Sequence, residues 1–426
     1  MIFLIIIVAL VLLTFGFEMF VVLGLPAIMV KEAFFSGIPD AVLVQKMVGG
    51  INHTTLLAIP FFIIAAEVMS SGEIARRLTT FIKACFGHRT GGLGHTTIGS
   101  AMAFGSVSGS AAATVAAIGK LMYPDLRKIG YSDKFSLGLI VSSAETAILI
   151  PPSITMIIYG WMTGTSITAL FAGGLAVGMV LGLAFAALVV FESKRNNVGS
   201  APALAKGEFV LRFKEARWAL GMPVIILGGI YSGFFTATEA AAVSVIYALL
   251  VESIIYKNLN WSRFFQLIER GAVSSTVIFI LLAMGSVLSY FVTVIQLPDL
   301  LTNFLVSIDA GTVTFLLAVN IAFFIAGMFI DPNSALLILV PPLFPVATAL
   351  GIDPIHFGLV VTLNIGIGMI TPPFGLDIFV AASTLQKPVM TIINGVWPFL
   401  FVNILVLMLI TYVPGISTFL PNLLAK

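Results

Sequence analysis

Two of the proline pairs in this apolar chain mark where chemistry is available. Pro151-Pro152 closes the run Ser142-Ser143-Ala144-Glu145-Thr146-Ala147-Ile148-Leu149-Ile150, and Pro372-Pro373 closes Asn364-Ile365-Gly366-Ile367-Gly368-Met369-Ile370-Thr371. Proline has no N–H to donate and pushes the residue before it out of the helical region, so each pair leaves several carbonyls without a helical partner. Two other stretches collect small and polar residues: Gly105-Ser106-Val107-Ser108-Gly109-Ser110 and Gly327-Met328-Phe329-Ile330-Asp331-Pro332-Asn333-Ser334. Bare carbonyls, hydroxyls and carboxylates are hard oxygen ligands for a small cation such as Na⁺. A helix that restarts after a break offers its first N–H groups to an anion. The candidate cation ligands are therefore Ser106, Ser108, Gly109, Ile148 and Pro151 in the first half, and Gly327, Phe329, Asp331, Gly368 and Thr371 in the second. Candidate solute contacts are Ser108, Ser110, Ser153, Asn333, Ser334 and Asp377.

Each of these has a plainer reading. The glycines and serines of 105–110 make a packing face if the hydroxyls bond back to their own helix. Asp331 is placed first as a helix cap and second as a ligand. A proline pair can simply kink a helix. Glu145 is positioned to face the cavity, and Asp377 to contact solute or cap the resumed helix. Glu18 and Glu239 start spans and read as N-terminal caps, and Lys120 as an interfacial anchor.

What raises the site reading is repetition. Pro151-Pro152 recurs as Pro372-Pro373, Pro124 and Gly130 as Pro345 and Gly351, Gly50 as Gly271, and Glu18 as Glu239, all at one spacing of 221 residues. Two halves, each broken by Pro-Pro at mid-membrane, are the sequence pattern of a secondary transporter with its site between broken helices.

Composition places these elements in a bilayer. Hydrophobic residues make up 59% and charged residues 9%, against roughly 25% charged in a soluble domain. Mean hydropathy is +1.12, and many apolar runs approach the ~20 residues of a crossing helix. The net charge of +2 gives nucleic acid no purchase. The one cysteine, Cys85, excludes an internal disulfide, and His53, His88, His95 and His356 show no ligand spacing. The first residues carry no basic leader or small-residue cleavage site, so they read as an uncleaved first span.

Crossings fall near 1–14, 18–34, 50–70, 135–158, 168–191, 218–234, 237–255, 271–296, 357–382 and 391–413. Basic residues set their direction. Arg76, Arg77, Lys83 and Arg89 share one segment; Lys120, Arg127, Lys128 and Lys134 a second; Lys194, Arg195, Lys206, Arg212, Lys214 and Arg217 a third; Lys257, Arg263 and Arg270 a fourth; Lys387 stands in a fifth. These belong on the cytoplasmic side. The turns with Asp299, Asp309 and Asp353 belong outside, as do both termini. Residues 91–119 and 312–349 each leave and return to the same side, so both are re-entrant hairpins, entering from opposite faces. The expected fold is an all-α polytopic membrane protein of two inverted-topology repeats, 1–191 and 218–426, each with a hairpin and a Pro-Pro-broken helix (135–158 and 357–382). Residues 192–217 form the cytoplasmic linker.

The stretch Gly228-Gly229-Ile230-Tyr231-Ser232-Gly233-Phe234-Phe235-Thr236-Ala237-Thr238-Glu239-Ala240-Ala241 resembles the G-x-F-T-x-T-E-A-A signature of the DctM-like large membrane subunit of TRAP transporters, the tripartite ATP-independent periplasmic transporters. The Gly105–Ser110 motif with Ala113-Thr114 and both proline pairs fit the same family, over essentially the whole chain. Ala237 departs from it, since the family often has proline there. The resemblance implies an elevator transporter of the bacterial inner membrane, with a mobile transport domain and a static scaffold, driven by Na⁺ at two or more sites. It implies a separate small four-helix membrane subunit and a soluble periplasmic binding protein that delivers the solute. It also implies a carboxylate solute, of the sialic acid or C4-dicarboxylate class. A stand-alone Na⁺-coupled anion transporter is the alternative. An enzyme is disfavoured: Ser106 interrupts a Gly-x-Ser-Gly protease motif, and His-Glu-x-x-His is absent. A channel would need one continuous polar path rather than two dead-end hairpins.

Overall fold

The computed structural model describes every residue except 71–72, 201–206, 309–310 and 425–426. Lys206 and Asp309 lie outside the described residues. Among the described residues all regular structure is helical. The first half runs α1 (Ile2–Thr14), α2 (Met19–Phe34), α3 (Asp40–Ile51), α4 (Ala58–Ser70), α5 (Glu73–Phe86), α6 (Gly92–Ser108), α7 (Ala111–Lys128), α8 (Asp133–Glu145), α9 (Ile154–Thr163) and α10 (Ile167–Arg195). The second runs α11 (Glu208–Tyr231), α12 (Ala237–Leu250), α13 (Trp261–Val294), α14 (Leu297–Ser307), α15 (Thr312–Phe329), α16 (Pro332–Ala349), α17 (Pro354–Met369), α18 (Leu376–Leu385), α19 (Val389–Tyr412) and α20 (Pro414–Leu424).

The repeated sequence is matched by repeated helices. Helices α7 and α16 begin and end 221 residues apart, as do the starts of α8 and α17, and α6/α15 and α10/α19 start within a residue of that spacing. The halves diverge in the span made by α3 and α4. Polar Asn52, His53, Thr54 and Thr55 interrupt the first-half span, and its two parts bend by 57°. His53 Nδ1 accepts the Thr55 N–H at 3.4 Å at the bend. The counterpart α13 runs unbroken for 34 residues.

Among the described residues six helices are long and apolar enough to cross a membrane, or seven counting the bent pair. Several of the expected crossings fall short because prolines or bends divide them into shorter helices. Three stretches expected as loops are helical. The 192–217 linker shrinks, because α10 continues to Arg195 and α11 begins at Glu208. Arg212 pairs there with Glu208 at 3.3 Å and Glu215 at 3.1 Å, one turn away on the same face. The outer turn 297–311 contains α14. The basic segment after residue 72 forms α5, which buries Ile74, Leu78 and Ile82 and turns Arg76 outward. Glu252, after α12, anchors its first turn by accepting the Ile74 N–H at 3.2 Å.

The two broken spans sit at the centre. Every residue from 135 to 153 and from 356 to 371 is buried. After α8, a 3₁₀ turn (Thr146–Ile148) leads into Pro151-Pro152, and α17 leads into Pro372-Pro373; both pairs are cis.

Candidate functional site

Each hairpin turns within two residues. Helix α6 continues through Gly105 and Ser106 to Ser108, so the expected turn at 105–110 contracts to Gly109-Ser110. Gly109 takes a left-handed backbone (φ +58°), which glycine adopts without penalty. Ser110 then caps α7 by accepting the Ala113 N–H at 3.4 Å. The second tip is Ile330-Asp331. Asp331 accepts the backbone N–H groups of Asn333 (3.0 Å) and Ser334 (3.2 Å) and the Ser334 hydroxyl, so it caps α16 as expected.

Hairpins and breaks then lock together. A Cβ on Gly109 would stand 2.5 Å from the Pro152 carbonyl oxygen, and one on Gly105 2.6 Å from Ala147 Cα. In the second half, a Cβ on Gly368 would stand 2.4 Å from Gly327 Cα. Backbone meets backbone in each half, as the pairing of hairpin with break requires.

Both tips and both breaks open on one cavity of about 250 Å³. Hairpin one contributes Ser108 to Ala113, hairpin two Asp331 to Asn333, the first break Ile148, Ile154 and Thr155, and the second Met369 and Leu376. Helices α4 and α13 close the other wall with Ile63, Ala66, Glu67, Ser274 and Ile278. The first residues of α7, α9, α16 and α18 all lie in this lining. Four helix N-termini thus converge on one space, an arrangement whose dipoles favour an anionic group. Among the described residues no Lys, Arg or His side chain lines it.

Of the expected site residues, the cavity brings together Ser108, Gly109, Ser110, Ile148, Asp331 and Asn333. The others lie elsewhere. Ser106 donates to the Ala103 carbonyl at 2.8 Å, bonding back to its own helix. Ser153 is fully buried and caps α9, accepting the Met156 N–H at 3.3 Å. Ser334 is buried against Asp331. Pro151 is buried, and Gly327 and Gly368 lie in the buried hairpin–break contact. Thr371 donates to the Ile367 carbonyl at 2.6 Å. The Phe329 ring is exposed and pairs with Phe374, centroids 5.7 Å apart.

Two acids depart from expectation. Glu145 does not face the cavity; Asn403 of α19 donates to it at 2.8 Å. Asp377 neither lines the cavity nor caps α18. The matched pair Glu18 and Glu239 also separates. Glu239 completes a capping box with Thr236, whereas Glu18 makes no side-chain cap bond. Lys120 is exposed on α7, as an anchor would be. Sequence reasoning missed Thr155, Ser274 and Glu67 as wall residues. Ser274 is part of Ser274-Ser275-Thr276, a polar spot on an apolar helix that was there to be read.

Comparison with known proteins gives the fold and the lineage. The chain is similar to the structure titled "Crystal structure of the Alcanivorax borkumensis YdaH transporter reveals an unusual topology", with a TM-score of 0.63, 14% identity and coverage of 88% of this chain and 87% of that one. It is 40% identical to the ectoine TRAP transporter large permease protein TeaC of Halomonas elongata, over 97% of each chain. It is 38% identical both to the C4-dicarboxylate TRAP transporter large permease protein DctM of Pseudomonas aeruginosa, over 90% of each chain, and to the sialic acid TRAP transporter large permease protein SiaM of Vibrio cholerae, over 89% of each. These relatives are transporter permeases of the inner membrane, not enzymes. Residues 6–416 match the family described as the tripartite ATP-independent periplasmic transporter, DctM component, and the chain belongs to that family as a large membrane subunit of a TRAP transporter.

Proposed function

We propose that this subunit imports a small organic acid across the inner membrane by Na⁺ symport, receiving it from a periplasmic binding protein and working beside a small four-helix membrane subunit. The observation that carries the reading is the cavity where two hairpin tips and two broken helices meet. Its hydroxyls, carbonyls and helix N-termini suit an acid group and a hard cation together, and neutralising one with the other removes the need for a basic side chain. The named solutes of the relatives, C4-dicarboxylate, sialic acid, ectoine and isethionate, set the panel to test.

In this reading the two repeats have inverted topology. The hairpins and broken helices move as a transport domain against a scaffold that includes α4 and α13, so the cavity opens to one side at a time. Cation ligation falls to the Ser108–Gly109 tip with the Ile148 and Pro151 carbonyls. Its second-half counterpart uses Gly327, Asp331, Gly368 and Thr371.

The test is uptake into proteoliposomes holding both membrane subunits, with purified binding protein outside and each solute offered in turn. Uptake that needs an inward Na⁺ gradient and the binding protein is expected. Na⁺-independent uptake would refute the coupling, and full uptake without binding protein would favour the stand-alone transporter.

A further inference from the structure

Helices α7, α8, α18 and α19 enclose a small apolar cluster that includes Val115, Val141, Ala144, Ile378, Ala381 and Val396. Two carboxyls are sealed among these helices. Glu145 ends α8 and Asp377 opens α18, and neither has any exposed surface. Glu145 Oε2 accepts its one bond from the Asn403 amide, at 2.8 Å. Glu145 Oε1, Asn403 Oδ1 and both Asp377 oxygens accept none from any described residue. Their sequence neighbours Ala144 and Ile378 pack in this one cluster. Glu145 also abuts α17, where a Cβ on Gly366 would lie 3.3 Å from its Oε1.

The charged and titratable groups on the surrounding helices are engaged elsewhere. Asp133, at the start of α8, takes a bond from Tyr123 of α7, and Lys134 beside it is exposed. Lys120 of α7 is exposed. His356 of α17 is held by Ser417 and the Thr411 carbonyl, both at 3.2 Å. Tyr412 of α19 donates to the Val313 carbonyl. The charge of two buried carboxyls therefore has one amide donor and no basic partner among the described residues. A charged carboxylate in such surroundings needs a positive counter-charge, or else takes up a proton, and intramembrane acids of this kind mark ion pathways.

We propose that Glu145 and Asp377, with Asn403 as the orienting amide, form a coupling-ion site separate from the solute cavity, loaded by a small monovalent cation, H⁺ or Na⁺. The inference rests on the chain being a cation-coupled importer. It adds a site within the bundle, away from the hairpin tips, so that ion loading there and solute loading in the cavity are distinct events in one moving body.

The test uses the reconstituted complex and measures Na⁺ and proton entry per solute for the wild type, Glu145→Gln and Asp377→Asn. Each amide variant is expected to carry about one cation fewer per solute it takes up, the charge its carboxyl no longer binds; where a variant takes up none, the labelling described below decides. A fall in Na⁺ identifies sodium, and a fall in protons identifies the proton. Unchanged ratios for both ions in both variants overturn the proposal. Should a variant fail to insert, the wild-type complex gives a second readout. Dicyclohexylcarbodiimide, which modifies carboxyls in apolar surroundings, should label Glu145 or Asp377, and added Na⁺ or raised pH should suppress the labelling. No labelling under any condition also overturns the proposal. Labelling does not require uptake, so a wild-type complex that labels yet imports nothing would refute the importer reading and leave the ion site standing.

Discussion

At the scale of single residues, Asp331 joins two roles that substitution can separate. Its carboxylate caps α16 and also borders the cavity. Asparagine caps as well as aspartate does, whereas alanine costs a helix about 0.5–2 kcal/mol. Asp331→Ala should therefore lower the melting temperature of the purified complex and Asp331→Asn should not. If the charge also holds a cation, Asp331→Asn will still need more Na⁺ for half-maximal uptake. Unaltered Na⁺ dependence in Asp331→Asn would leave it a cap alone. Thr371 poses the converse question, since its hydroxyl proton is committed to Ile367 while its lone pairs remain available. Thr371→Val keeps the shape. Losing one oxygen contact worth ~1.4 kcal/mol should raise the half-maximal Na⁺ about tenfold, and an unshifted titration would remove Thr371 from the ligand set. Ser108, with its hydroxyl 3.2 Å from that of Thr114 and its edge on the cavity, has no room for a branched side chain. Ser108→Leu should abolish uptake while insertion stays normal, and full uptake by this variant would take the first tip out of the site.

Helices and hairpins make a different demand, which is close approach. The first tip rests on Pro152 through Gly109, and the second hairpin crosses its break at Gly327 and Gly368. Gly109→Ala would put a Cβ 2.5 Å from a carbonyl oxygen and hold a non-glycine residue in the left-handed region, which costs ~1–2 kcal/mol by itself. We expect this variant to insert, to melt at lower temperature and to lose most uptake. Wild-type transport would show that the tip need not seat on the break. The hairpins, proline breaks and most long helices were legible at this scale, because glycine, proline and apolar run length act locally. Helices α5, α14 and α20 were not read as helices. Part of what holds α5 is remote, namely its apolar face packed on the body and its first turn fixed by Glu252. Helix α12 shows local chemistry sufficing: Thr236 and Glu239 close a capping box although Ala237 replaces the proline that often stands at that first helical position.

For the whole molecule, the elevator reading requires α4 and α13 to stay while the hairpins travel. Ser274 on α13 and Asn333 at the second tip line the same cavity from opposite walls. With Cys85 replaced by serine and cysteines placed at 274 and 333, oxidative cross-linking should stop uptake, and reduction should restore it. Undiminished uptake in fully cross-linked protein would exclude relative motion of these two walls.

The sequence by itself determined the membrane class, the doubled plan, the family and the two places where helices break, since composition, proline and periodicity are properties of the chain that need no partner. Only the tertiary structure decided which oxygens share a space. It gathered Ser108, Ser110, Asp331 and Asn333 at the cavity and drew in Glu67 and Ser274 from the facing wall. It also buried Glu145 and Asp377 away from the cavity lining. The direction of a side chain around a helix fixes its neighbour only once the facing helix is in place, and in this fold those facing helices come from the other half of the chain.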